Sequence, residues 1–177
     1  MKIALRLLLA LAVALAVSAC SKNTKPDTTD TTAPATDTST PTTTTSAAPN
    51  PRDYNDARNF DNPESLLSKR IIYFDFDRSE VKPEYRSIVA AHATYLAGSS
   101  SARVTLETHA DERGTREYNL GLSERRGNSV ESLLIAGGAS GNQIEVVSYG
   151  EERPVCRESS EDCWWKNRRV EIVYTAR

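Results

Sequence analysis

With 177 residues, 38% of them hydrophobic and 26% charged, the chain has room for one ordinary domain plus appendages. Its formal net charge is −2, and losing Lys2 and Arg6 with an N-terminal segment would leave 22 − 2 = 20 basic against 24 acidic residues, or −4. No basic stripe with interleaved aromatics occurs, so the composition excludes a nucleic-acid binder.

Residues 1–19 combine a positive start, an apolar run over 7–17 and the small residues Ser18 and Ala19 before Cys20, the anatomy of a secretory signal. The run is shorter than the ~20 residues that a membrane crossing needs. Val17-Ser18-Ala19-Cys20 resembles a bacterial lipoprotein cleavage box, which makes Cys20 the expected acylated first residue of the mature chain. Ser21 in the next position is similar to lipoproteins sorted to the outer membrane. The alternatives are a plain signal peptide with a chance cysteine, or an uncleaved anchor. The Thr-, Pro- and Ala-rich segment that completes 20–52 has no Leu, Ile, Val or aromatic residue, so it cannot bury enough apolar area to offset its ordering entropy. As a coil of about 50 residues such a tether would reach ~40 Å root-mean-square, and ~165 Å fully extended.

Residues 53–69, with Tyr54, Phe60, Leu66 and Leu67, form a weakly apolar lead-in expected to pack partly on the domain, which spans 70–177. Ile71-Ile72-Tyr73-Phe74 reads as a buried strand followed by the polar turn Asp75-Phe76-Asp77-Arg78-Ser79. Pro83 suits a first helical turn, Tyr85, Ile88, Val89, His92 and Leu96 recur at helical spacing, and Gly98 stops that helix. Val104, Leu106 and Thr108 alternate with Thr105, Glu107 and His109 in a second strand. Next comes the turn His109-Ala110-Asp111-Glu112-Arg113-Gly114-Thr115, with Gly114 supplying backbone freedom and Thr115 placed to cap a helix over about 115–136, closed by Gly137-Gly138. Ile144, Val146 and Ser148 alternate with Glu145, Val147 and Tyr149 in a third strand, and 170–174 make a fourth. The order β-α-β-α-β-(loop)-β predicts an α+β fold, a small mixed sheet with helices packed on one face.

His92 falls on the apolar face of the first helix, where a packed ring is the expected reading. His109 stands two residues before Asp111, yet no Cys/His cluster of ligand spacing accompanies it, so neither a metal nor another cofactor is expected. No Gly-x-Ser-x-Gly elbow and no phosphate-cradling glycine loop occurs, which argues against an enzyme. With Cys20 consumed by lipid and the chain exported, Cys156 and Cys163 form an even pair expected to bridge; two free thiols or a metal pair are the alternatives. Asn119 and Arg126 are seven residues apart, about two turns and roughly 10.5 Å of rise, so both project from one helix face. Asp111 and Arg126 could converge on one ligand or form a structural ion pair.

His109-Ala110-Asp111-Glu112-Arg113-Gly114-Thr115, with Glu117-Tyr118-Asn119, Leu122-Ser123-Glu124-Arg125-Arg126 and Asn167-Arg168-Arg169, resembles the outer membrane protein A C-terminal-like domain family, and more closely its peptidoglycan-associated lipoproteins. The likeness runs from about residue 70 to the end. It implies a binding module for the diaminopimelate of peptidoglycan stem peptides. On that resemblance Asp111 takes the ammonium, Arg126 the carboxylate, and Asn119 helps. Backbone N–H groups around Phe76 and Asp77 would receive the second carboxylate, and Arg168 is a weaker candidate. An Asp and an Arg side by side complement a zwitterion, each charge-assisted bond contributing roughly 1.5–3 kcal/mol. The resemblance further implies a lipid-anchored protein on the periplasmic face of the outer membrane, with peptidoglycan and Tol-system proteins, including a periplasmic propeller protein, as partners. Wall-anchoring outside the Tol system is the alternative, and a peptidoglycan-modifying enzyme would need a metal site or nucleophile that the sequence does not offer. A flagellar-stator subunit sharing the domain would need a true membrane span.

Overall fold

The computed structural model describes residues 48–177; the expected signal segment, Cys20 and most of the tether lie outside the described residues. Among these residues four strands and three α-helices follow in the order β1 (Ile71–Tyr73), α1 (Pro83–Gly98), β2 (Arg103–His109), α2 (Arg116–Ala136), β3 (Ile144–Gly150), α3 (Glu161–Asn167) and β4 (Arg169–Ala176). The sheet order is β1-β4-β2-β3, with β2 and β3 parallel and β4 antiparallel to both β1 and β2. The register aligns inward-facing residues across the sheet: Ile72 opposite Val170, Ile172 opposite Leu106, and Leu106 opposite Val146. This is the mixed α+β sheet that the alternation of apolar residues predicts.

Pro83 begins α1 at a position whose N–H has no helical partner in any case, and Ile88, Val89, His92 and Leu96 are buried as their spacing requires. The lead-in contributes Phe60 and Leu67 to the same core; the Phe60 ring meets Tyr95 and Tyr174 edge-on at 4.7 and 4.6 Å between centroids. In α2 the buried face runs Asn119, Leu122, Ser123, Arg126, Gly127, Val130 and Leu134, a helical period whose first half is polar. Gly127 is where α2 lies against the sheet: a Cβ there would fall 2.4 Å from Val146 Cγ1 and 2.8 Å from Thr108 Cγ2. The absence of a side chain at that point lets the next residue inward, Arg126, sit against the top of β2.

One element departs from the expected order. The stretch between β3 and β4, expected as a loop, contains α3. It is seven residues long, too short to show an apolar period, and its acidic first turn (Glu161, Asp162) favours the start of a helix. Tertiary ties hold it: the Cys156–Cys163 disulfide, and Asn167, whose Oδ1 accepts from the amides of Val155 and Cys156 while its Nδ2 donates to the Cys156 carbonyl.

Candidate functional site: a charged cavity at the end of β2

A cavity of about 250 Å³ opens where β2 ends and α2 begins, next to the β1–α1 loop. Phe76 and Asp77 of that loop line it, with Asp111, Arg113 and Gly114 of the β2–α2 turn and Tyr118, Leu122 and Arg126 of α2. Local sequence builds the turn. Gly114 adopts φ +118°, which a side chain would resist, and Thr115 Oγ1 caps α2 by accepting from the Tyr118 amide at 3.2 Å.

Arg126 is fully buried, with 0% exposure. Its Nε donates to the Arg78 carbonyl at 2.8 Å, Nη1 to the His109 carbonyl at 2.9 Å and Nη2 to the Asp75 carbonyl at 3.1 Å. The loop that supplies two of these carbonyls kinks between them at Asp77, whose φ of +55° is a left-handed conformation that Asp tolerates better than most residues. The third comes from the top of β2, where pairing with β3 slips from Thr108 opposite Ser148 to His109 opposite Gly150. Among the described residues no carboxylate lies within ion-pairing distance of Arg126. Burial therefore pulls its guanidinium down to about 10, still protonated at neutral pH, with Asp111 opposing the shift. A guanidinium has five N–H donors, and three are engaged here, so two remain for an incoming acceptor.

Asp111, 4% exposed, is the reverse case. Its Oδ1 accepts from the Arg113 amide at 3.1 Å and Arg113 Nε at 3.2 Å; its Oδ2 accepts from Arg113 Nη2 at 2.7 Å and Arg168 Nη1 at 3.1 Å. Burial works against its ionisation, but these bonds outweigh it and hold the carboxyl below the usual carboxylate range. Asp111 and Arg126 thus line one cavity without pairing with each other.

Residues 73–168, more than half of the chain, match the OmpA family. The chain belongs to the OmpA family. The peptidoglycan-associated lipoprotein of Pseudomonas aeruginosa is 48% identical over 108 residues, which cover 61% of this chain and 64% of that protein. The protein of the same name from Pasteurella multocida is 41% identical over 103 residues, 58% of this chain and 69% of the relative. The chain therefore spans a little under two thirds of the length of the first of these curated relatives. Among solved structures, the peptidoglycan-associated lipoprotein from Burkholderia pseudomallei superimposes with a TM-score of 0.63 at 39% identity, over 65% of this chain and 98% of that one. The C-terminal domain of Helicobacter pylori MotB shares the fold alone, with a TM-score of 0.56 at 20% identity over 60% of this chain and 84% of that one.

Within this OmpA-family domain, Asp111, Arg126, Phe76 and Asp77 of the expected site residues meet at the cavity. Among the described residues no acceptor takes the amide N–H of Phe76 or Asp77, so both remain available as donors. Asp77 Oδ1 accepts from the Tyr118 hydroxyl. Arg168 stands behind Asp111, bonded also to the Phe74 carbonyl at 3.1 Å and to Glu161, and reaches the cavity only through that carboxylate. Asn119 shares the buried face of α2 with Arg126 but does not line the cavity; its amide donates to Glu151. Arg113, Tyr118 and Trp164 carry no expected site role in the sequence. Arg113 stands two residues after Asp111, and its charge at that spacing is the available signal. Nothing in the sequence places Trp164 beside it.

The two histidines divide clearly. His92 is a satisfied core ring, bonded to the Tyr174 hydroxyl and the Lys69 carbonyl at 3.0 Å each, and burial lowers it to about 4. His109 stacks on Tyr149 at 5.4 Å between centroids, with neither ring nitrogen hydrogen-bonded among the described residues. Burial first, then Arg169 and Arg153, bring it to about 3; Glu171, 3.9 Å away, gives little relief because it already accepts from Arg169 Nε at 2.6 Å. Both rings are neutral at physiological pH, and neither faces the cavity.

Proposed function

We propose that this OmpA-family domain binds peptidoglycan non-covalently through the free end of diaminopimelate in the stem peptides, and that acylation at Cys20 fastens it to the outer membrane. The observation that carries the reading is Arg126, a buried cation with two unused donors, no carboxylate partner among the described residues and a cavity in front of it. A buried guanidinium of this kind is stabilised by a carboxylate that arrives with the ligand, since charge-assisted bonds gain strength where water is excluded. The free amides of Phe76 and Asp77 suit a second carboxylate, and Asp111 suits the ammonium. The relatives are named for association with peptidoglycan, which agrees with a binding module. Membership of a Tol system, with its periplasmic propeller protein as partner, belongs to the same proposal and rests on likeness to those lipoproteins. So do the localisation on the periplasmic face and a role in envelope integrity and cell division.

The test is co-sedimentation of the mature protein with purified sacculi, with and without free diaminopimelate, while assaying released fragments. Sedimentation that the free amino acid competes away, with no fragments, is the expected result. Released fragments would point to an enzyme, and sedimentation indifferent to diaminopimelate would overturn the ligand. In the absence of sacculi, diaminopimelate at a hundred times its Kd should stabilise the fold by about 2.7 kcal/mol, read as a rise in melting temperature.

A further inference from the structure

Asp111 is full. A carboxylate offers about four lone-pair sites, and all are used in the unliganded domain, three of the four bonds coming from Arg113. A ligand ammonium has no place on this carboxylate until a donor leaves. Arg168 is the less able to leave, since it is buried and is tied also to the Phe74 carbonyl and Glu161. Arg113 is different: its side chain is 29% exposed and it lines the cavity. Its guanidinium carbon lies over two rings, 4.0 Å from the centroid of Phe76 and 4.1 Å from that of Trp164. A second carboxylate is within reach, with Glu161 Oε2 at 3.5 Å from Arg113 Nη2. A cation held by two ring faces is attracted without directed bonds, so it can shift while keeping contact with them.

We propose that Arg113 is a specificity latch: in the empty site its side chain stands in for the ligand's ammonium on Asp111, and on binding it slides between Phe76 and Trp164 toward Glu161. The latch rests on the proposed reading of the cavity as a diaminopimelate site and adds a condition to it. A ligand bearing only carboxylates reaches Arg126 but gives Arg113 no reason to move. A ligand bearing only an amine must displace Arg113 without the gain at Arg126. Only a molecule bringing both charges in the right spacing opens the seat and fills it. α3 is then part of the selectivity device, since it carries both Trp164 and Glu161, and Trp164 is anchored by donating its indole N–H to Glu112 at 3.0 Å.

The decisive variant is Arg113→Met, which keeps a long, polarisable side chain between the two rings while deleting the donors. Its affinity for meso-diaminopimelate, measured by calorimetry on the mature protein, should rise about three- to tenfold, the scale of one cation–π or charge contact released from competition. Affinity for pimelate, which has the carboxylates and no amine, should not rise. In wild type, the Arg113 Nε–H resonance should shift on adding diaminopimelate and stay in place with pimelate. Glu161→Gln removes the destination charge and should weaken diaminopimelate binding severalfold. The latch is overturned if Arg113→Met loses diaminopimelate affinity, or if it gains equally for both ligands. Failure of wild type to bind diaminopimelate at all overturns the site reading itself, and the latch with it.

Discussion

The two ends of the cavity are built on opposite plans. At one end a buried cation is held by three backbone carbonyls, with no paired counter-charge among the described residues. At the other a buried anion has its acceptors filled by two guanidiniums and the Arg113 amide. Carbonyl dipoles fix the position of Arg126 without neutralising it, so its charge stays directed at the cavity. Asp111 is fixed by charges, so its own charge is spent within the protein. The contrast teaches that a pair of complementary residues need not be two equal halves of a binding site: on the proposed reading the anion seat stands open and the cation seat must be vacated.

The sharpest way to break this comparison is at Arg126. Arg126→Lys cannot satisfy three carbonyls in a plane, so it should weaken sacculus binding about a hundredfold and cost about 3 kcal/mol of stability, since buried acceptors lose their donors. Binding close to wild type, with circular dichroism showing a folded protein, would remove Arg126 from the site. Asp111→Asn keeps shape but abolishes the charge that an ammonium needs, and should cost at least about 1.5 kcal/mol, more than tenfold in affinity. If this loss equals that of Arg126→Lys, the two ends are equivalent after all.

Acid separates the ends in another way. His109, whose carbonyl holds Arg126, stays neutral in the fold down to about pH 3, while in the unfolded chain it takes up a proton below about 6.5. The unfolded state thus binds more protons across that window, and stability should fall as pH drops through it, by up to about 1.4 kcal/mol per pH unit from this ring. Asp111 acts only lower, because its lowered pKa keeps it ionised, and its contribution is lost as pH falls below the ordinary carboxylate range. In urea titrations wild type should therefore lose stability relative to His109→Phe as pH is lowered from 7 toward 4.5, and a difference that stays constant with pH would refute the assignment. The smallest effect belongs to Arg125, exposed on α2 one residue from Arg126, its guanidinium 5.8 Å from the Tyr118 ring. Arg125→Ala should stay within about 0.5 kcal/mol of wild type in both stability and binding; a larger change would mean that ligand reaches across the helix surface.

How much of this was legible depended on whether the cause was local. Pro83, the apolar stripe of α1, Gly114, Thr115 and the alternation in β2 are local rules, and the elements they announce are present. α3 was not legible, because its seven residues are held by a disulfide and by Asn167 rather than by a pattern of their own. That Asn119 and Arg126 share the inner face of α2 followed from helical spacing, but spacing says nothing about where a face meets a cavity, and two turns of rise take Asn119 to Glu151 instead. The resemblance singled out Asp111 and Arg126. The carbonyls of Asp75 and Arg78, which make Arg126 a fixed and open cation, carry no side-chain signature at all.

The strand order β1-β4-β2-β3 also governs when such a domain can come into being. Of the four strands β4 comes last in sequence, yet it lies between β1 and β2 and is the one link joining β1 to the rest of the sheet. A chain emerging from a ribosome or a translocation pore can assemble the β2–α2–β3 unit early, but β1 has no neighbour until residues 169–176 have followed it out. Arg168, at the entry to β4, reaches Asp111 only then. The charged cavity is completed only once β4 has followed, so a chain still in transit without it presents no finished grip to whatever surrounds it.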